Sequence, residues 1–326
     1  MMKHIKIFTV AVILCLLHKS GISQTAVQRH GSLSIKQGKI VDQHDKIVQL
    51  RGISFSWSIW GGKKYYTPEV VDRLVDDFKV NLIRVALAVE PDGGYLQSPE
   101  EQFTLIKNVV DRALQRGIYV LIDWHDHHAD RNINQAKAFF TRMAQQYPDH
   151  PQLIYEIWNE PERTTWQVVK SYAEELIRTI RKDAKNNIIV VGSPHWDQDV
   201  DSVANDRILG FNNIAYSFHF YASDPNHQEQ LRDRAQKAIG QQLPLFVTEW
   251  GVGEADGNGQ FDLKKTKIWL DWMENNQLSW ANWNLTDKDE TTALLKPMAP
   301  LHGHWKKQHL TPAGQYIKAQ LRTLNP

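Results

Sequence analysis

The chain predicts a single α/β domain folded as a closed (β/α)8 (TIM) barrel, with a short β-hairpin at its N-terminal end. Three observations carry this prediction. Eight short apolar runs recur, near residues 47–53, 80–87, 119–124, 153–158, 188–192, 214–220, 245–250 and 278–285. Between them the apolar spacing changes to a helical period, the alternation that parallel βαβ units require. The first run passes into Arg51-Gly52-Ile53-Ser54, without the Gly-rich phosphate turn that an open doubly wound sheet usually places there.

Lys3, His4 and Lys6 precede an apolar run from Ile7 to Leu17, and Gly21 and Ser23 follow as small residues. That is the pattern of a cleavable export signal over residues 1–23, and the run is too short for a bilayer, which takes ~20 apolar residues. The expected location is secreted or periplasmic, with no membrane partner. The only cysteine, Cys15, falls inside this leader, so the remaining chain, 24–326, is expected to use neither disulfides nor thiolate chemistry. Residues 31–48 alternate around Gln37-Gly38 as a hairpin does. Thr67-Pro68-Glu69 opens one helix. Ser98-Pro99-Glu100-Glu101 reads as a capping box opening another, which Gly117 should stop. Ile133, Ala136, Phe140, Met143, Ala144 and Tyr147 form an apolar stripe, as do Val169, Tyr172, Ala173, Leu176, Ile177 and Ile180. No Pro/Ser-rich linker interrupts 24–326, which reads as one domain.

Composition narrows the partners. Of 326 residues, 42% are hydrophobic and 23% charged, with 38 Lys and Arg against 37 Asp and Glu. A net charge of +1 supplies no basic field for a phosphate backbone, so nucleic acid is excluded as the main partner. Twelve Trp is a heavy load, and such rings either fill a core or receive a ligand face-on.

Catalytic groups of such barrels stand at the C-terminal ends of the strands. The second strand carries Arg84 and the third ends in Asp123-Trp124-His125. The fourth runs into Trp158-Asn159-Glu160-Pro161, the sixth into His219-Phe220-Tyr221, the seventh into Thr248-Glu249-Trp250-Gly251, and the eighth offers Trp283. Glu160 and Glu249 would face each other across the mouth. Paired carboxylates suit glycoside cleavage, one protonated to serve the leaving oxygen and one ionised to attack. Each charge raises the other's pKa, so the two are expected to share a proton, with Arg84 holding Glu249 ionised.

Ile157-Trp158-Asn159-Glu160-Pro161 and Val247-Thr248-Glu249-Trp250-Gly251 resemble the acid/base and nucleophile motifs of glycoside hydrolase family five. Leu50-Arg51-Gly52, Asp123-Trp124-His125, Phe218-His219-Phe220-Tyr221, and Trp280-Ala281-Asn282-Trp283 with Lys288-Asp289-Glu290 are similar to its bacterial endo-β-1,4-glucanase (cellulase) branch. The resemblance runs over residues 30 to 322. It implies a cofactor-independent, retaining enzyme acting on a β-linked polysaccharide, and a monomer is expected. Glu160 would be the acid/base and Glu249 the nucleophile. Asn159 would meet the sugar 2-hydroxyl, Tyr221 and Arg84 would orient Glu249, and His125 and His219 would bind hydroxyls or brace the carboxylates. Trp283 would floor the reacting sugar, with Trp60 stacking upstream of the cut and Trp196 downstream. Lys288 and Glu290 would bond hydroxyls beside the backbone of Ala255. Two departures stand out: the loop Gly52 to Trp60 has no His where relatives carry one, Ser56 or Trp57 taking that neighbourhood, and Ala88 stands where some relatives present Tyr.

The rival readings are the same mechanism on mannan, xyloglucan or mixed-linkage glucan, a metal-dependent hydrolase, and a barrel that binds glycans without cleaving them. The metal reading would use His125 and His127, completed by His195 and His219, although His127 and His128 read as solvated loop residues. The binding reading would lose a carboxylate, and both are present. Among the tryptophans, Trp124, Trp158, Trp250 and Trp280 are expected in the core or behind the site, and Trp166, Trp269 and Trp272 on helices as packing.

Overall fold

The computed structural model describes residues 24–325; the leader, with Cys15, lies outside them. A two-stranded antiparallel sheet, β1 (Ser34–Lys36) and β2 (Lys39–Val41), turns at Gln37 and Gly38 as the alternation predicts. Eight parallel strands then close on themselves: β3 (Arg51–Phe55), β4 (Leu82–Ala88), β5 (Tyr119–His125), β6 (Leu153–Glu156), β7 (Ile188–Val191), β8 (Ile214–Tyr221), β9 (Leu245–Gly251) and β10 (Trp280–Leu285), with β10 pairing to β3. Every predicted run overlaps a strand. The first strand starts at Arg51 rather than 47, because Val48 and Leu50 go to the floor of the barrel instead of its wall.

Thr67 caps the helix Pro68–Arg73 by accepting the Val70 N–H, and Gly117 ends Pro99–Arg116 in a left-handed conformation. The capping box at Ser98 is absent: its side chain makes no cap bond, and the helix relies on Pro99 at its first position. Both predicted stripes face inward on Ile133–Gln146 and Trp166–Ile180; Phe139 joins the first, Ile133 is only partly buried, and Tyr147 closes that helix's end.

Along a strand, alternate side chains face the barrel interior, and here the interior divides into layers of different chemistry. The lowest is apolar, with Leu82, Leu121, Ile154, Ile188, Ala215, Phe246 and Ala281 sealed from below by Leu33, Ile40 and Val48 of the hairpin region. Above it the interior turns polar at Ser54, Arg84, Asp123, Glu156, Ser217 and Thr248, all fully buried. The separate outer shell between sheet and helices holds Trp124, Trp158, Trp250, Trp269 and Trp280. The fold thus places apolar residues at the floor and outside, with the charged layer of the barrel interior beneath the C-terminal mouth.

At Gly52 β3 and β4 leave no room for a side chain, since a Cβ there would lie 1.8 Å from the backbone oxygen of Leu82. Gly52→Ala should destabilise the barrel by about 2 kcal/mol through forced strand separation. A thermal midpoint equal to that of the parent would show that the two strands can part freely.

Candidate active site

Arg84 is the centre of the polar layer. Its Nε lies 2.7 Å from Glu156 Oε2, its Nη1 2.8 Å from Glu249 Oε2, and its Nη2 2.9 Å from Asp123 Oδ2 and 2.7 Å from Asn159 Oδ1. A planar guanidinium suits this because its donors point outward in fixed directions, and it stays charged when buried. Burial works against ionising Glu156, but Arg84 outweighs it and brings the carboxyl down to about 2. Asp123 goes the other way: burial and the neighbouring carboxylates push it well above the ordinary value despite Arg84.

Glu249 reaches the mouth through a bulge. Against β8, the register runs from Ser217↔Phe246 to His219↔Glu249; against β10, it runs from Trp280↔Val247 to Asn282↔Trp250. Both neighbours therefore record one extra residue on β9. Bulges re-aim side chains, and here the polar faces of two consecutive residues, Thr248 and Glu249, serve the interior while Trp250 turns to the outer shell. Tyr221 donates its hydroxyl to the other Glu249 oxygen at 2.6 Å. Burial and the charge of Glu160 leave Glu249 above its ordinary value, with His219, Arg84 and the Tyr221 bond only partly offsetting them, so Arg84 alone does not hold it ionised as expected.

Glu160 arrives differently. The chain leaves β6 at Glu156, buries Ile157 and Trp158 in the outer shell, and then turns so that Glu160 adopts φ +49°. A left-handed non-glycine residue costs on the order of 1–2 kcal/mol and must be held by its surroundings. Its backbone N–H donates to Asp197 Oδ2 at 3.0 Å, and its Oε1 lies 2.9 Å from His219 Nδ1. The direction of the next bonds fixes the imidazole. The Thr248 hydroxyl donates to the ionised Glu156 at 2.6 Å, so it accepts from His219 Nε2–H at 2.8 Å. Nδ1 is left to share a proton with Glu160. Burial opposes a charged imidazole, yet Asp197, Glu156, Glu160 and Glu249 together raise His219 well above its usual range. Burial would raise Glu160, but the bond to His219 and its charge bring it below. The shared proton expected between the two glutamates therefore sits between Glu160 and His219.

Above these groups lies a cleft of about 970 Å³. Trp60, His125, Trp196, Tyr221, Ala255, Trp283, Lys288 and Glu290 all line it with Glu160, His219 and Glu249. Arg84 and Asn159 do not; they are fully buried below it. Trp60 is 67% exposed and Trp196 39%, whereas Trp283 is buried and stacks parallel on His125 at 5.3 Å. Burial and the charge of Arg84 hold His125 neutral, with its Nδ1 2.6 Å from Asp123.

One loop expectation is corrected. His127 is not a free loop residue: it lines the cleft, with Nδ1 3.3 Å from the Glu160 carbonyl and 3.8 Å from its Oε2. His128 does stay at the rim, between Glu90 and Glu162. The proposed histidine metal set does not converge, since His125 bonds Asp123 and His195 is 63% exposed against Asp199. Sequence reasoning named no role for Glu156, Asp197 or Thr248. A carboxylate inside the apolar run Leu153–Glu156 was the readable signal for the first, because such a group must find a partner; Asp197 had none.

The cellulase model of glycosyl hydrolase family 5 matches residues 41–289. The chain belongs to that family. It is 39% identical over 294 residues to endoglucanase Z of Dickeya dadantii, covering 89% of this chain and 66% of that one. An endoglucanase of Clostridium saccharobutylicum is 38% identical over 296 residues, covering 89% and 65%. The family 5 chain thus spans about two thirds of the length of these curated relatives. Among solved structures, the endoglucanase catalytic domain of Thermobifida fusca, in complex with cellotetraose, superposes with a TM-score of 0.87 at 30% identity, covering 92% and 100%. A Cytophaga hutchinsonii structure gives 0.90 at 41%, covering 93% and 98%.

Replacing Arg84 by Met should cost about 3–5 kcal/mol at neutral pH, because it strands buried carboxylates. Glu156 is depressed from 4.5 to about 2, so the stability it contributes is present above 4.5 and lost as pH falls toward 2. The stability gap between the parent and Arg84→Met should narrow over that window in denaturant titrations. A gap independent of pH would show that Arg84 does not hold Glu156 ionised.

Proposed function

We propose that the protein is a retaining, endo-acting β-1,4-glucanase with Glu160 as acid/base and Glu249 as nucleophile. The carrying observation is the separation of the two carboxylates, one oxygen of each lying within 4.8 Å of the other. Retaining enzymes hold the pair ~5–5.5 Å apart, whereas inverting ones leave ~6.5–9.5 Å for a water. Relatives named as endoglucanases support the glucan over mannan or xyloglucan.

In the first step a Glu249 oxygen bonds the anomeric carbon, the glycosidic C–O bond breaks, and the leaving oxygen takes a proton from Glu160. In the second, Glu160 takes a proton from water, the water oxygen bonds the anomeric carbon, and Glu249 is released. The ordering of the two carboxyl groups fits these roles only when His219 is counted with Glu160. The proton they share is the one the leaving oxygen needs, and Nδ1 stands ready to return it. Arg84 and Tyr221 direct the Glu249 oxygens and stabilise their charge. The Asn159 oxygen is fixed by Arg84, and its Nδ2 has no partner among the described residues, which supports a bond to a sugar 2-hydroxyl. Trp283 floors the reacting sugar, and His125 and His127 flank it. Glu290 is held by Asn284 at 3.1 Å and Lys288 at 2.6 Å, at a site that suits sugar hydroxyls near Ala255.

An open cleft with exposed Trp60 and Trp196 on its walls suits internal cleavage of a long chain. No helix among the described residues is long and apolar enough to cross a membrane; the leader's sequence pattern supports export as a secreted or periplasmic enzyme.

Carboxymethyl-cellulose, β-mannan and xyloglucan compared side by side, with and without EDTA, test the reading. Rapid viscosity loss on the cellulose derivative, indifferent to EDTA, is the expected result, with the β-anomer appearing first by NMR. Glu249→Ala should lower turnover on the order of 10⁴-fold or more. Preference for mannan would move the substrate, EDTA sensitivity would revive metal catalysis, and initial release of the α-anomer would overturn retention.

A further inference from the structure

Asp197 is fully buried directly behind Glu160, and nothing in the mechanism so far uses it. Its two oxygens face in different directions. Oδ2 accepts the backbone N–H of Glu160 at 3.0 Å, and Oδ1 accepts that of Ser193 at 2.6 Å. Ser193 begins the loop after β7 that carries Trp196, and the two segments are stitched again where the Trp196 N–H donates to the Pro161 carbonyl at 3.2 Å. His195, Trp196 and Asp197 are all left-handed, at φ +53°, +54° and +61°, facing Glu160 at +49°. Four non-glycine residues in that region, on two facing segments, need an outside restraint to persist. The Asp197 carboxylate is the side chain that bonds both segments. Oδ2 also lies 3.6 Å from His219 Nε2, so the same group faces the imidazole that shares the Glu160 proton.

We infer that Asp197 is a positioning residue: it fixes the Glu160 backbone, and thereby the proton donor, against the loop that presents Trp196 to the leaving-group sugar. This rests on the assignment of Glu160 as acid/base. The chemistry gives it a specific signature. Protonation of the leaving oxygen matters for a sugar alkoxide, a poor leaving group, and hardly at all for dinitrophenolate, which departs unaided. A group that only supported the fold would lower both reactions together.

The test is the ratio of kcat/KM for 2,4-dinitrophenyl β-cellobioside to that for cellotetraose, which does not depend on how much of a variant is folded. Asp197→Asn turns one acceptor oxygen into a donor facing an N–H. Asp197→Ser shortens the reach to a single hydroxyl. Each should raise the ratio about tenfold or more, within the range that general acid catalysis contributes, chiefly through a lower kcat on cellotetraose. Glu160→Gln, measured alongside, should raise it further. If Glu160→Gln raises the ratio and neither Asp197 variant does, the positioning role falls while the acid/base assignment stands. If Glu160→Gln leaves it unchanged, both fall.

Discussion

The guanidinium of Arg84, buried and bonded to Asp123, Glu156, Glu249 and Asn159, is the constraint that organises the upper half of this barrel. A charge without water must be satisfied by the protein, and each partner is itself a group that cannot be left alone. The partners come from β5, β6 and β9 and the turn after β6, so one side chain on β4 ties together four of the eight strand ends around the mouth. The apolar floor beneath does the ordinary work of folding. Filling the polar layer with well-packed aliphatics would often give equal or greater stability, so its charges make sense as preorganisation, with donors set before substrate arrives.

Two local distortions aim the carboxylates from this base. The bulge in β9 gives Thr248 to the buried network and Glu249 to the cleft, where an unbroken strand would put them on opposite faces. The left-handed turn at Glu160 folds the chain back over β6. These departures from regular backbone coincide with the two residues proposed to do the chemistry. Strain of this sort persists only where neighbours over-determine it, as Arg84, Tyr221, His219 and Asp197 do here.

The barrel itself was legible because its signal is repeated eight times: an apolar run, a helical period, and a polar group at the strand end. Glu160 and Glu249 were legible because each follows such a run beside Asn or Trp. The failures have physical causes. Ser98 carries the letters of a capping box, but a cap depends on side-chain geometry that Pro99 made unnecessary. His127 reads as a loop residue because spacing cannot show a loop folding back across the mouth. Asp197 sits in a segment without periodicity, and its role exists only because a turn 37 residues away presents an N–H to it. The bulge in β9 also leaves no mark in the alternation of so short a strand.

The proton near Glu160 depends on all of these contacts. Two glutamates alone would divide one proton according to burial and mutual repulsion, with the bonds from Arg84 and Tyr221 to Glu249 telling them apart. His219 changes the problem. Its Nε2–H is committed to Thr248, because Thr248 is committed to Glu156, because Glu156 is ionised by Arg84. That chain leaves only Nδ1 to negotiate with Glu160. The same guanidinium that directs the Glu249 oxygens therefore reaches Glu160 through three intervening side chains, and so bears on both carboxylates at once.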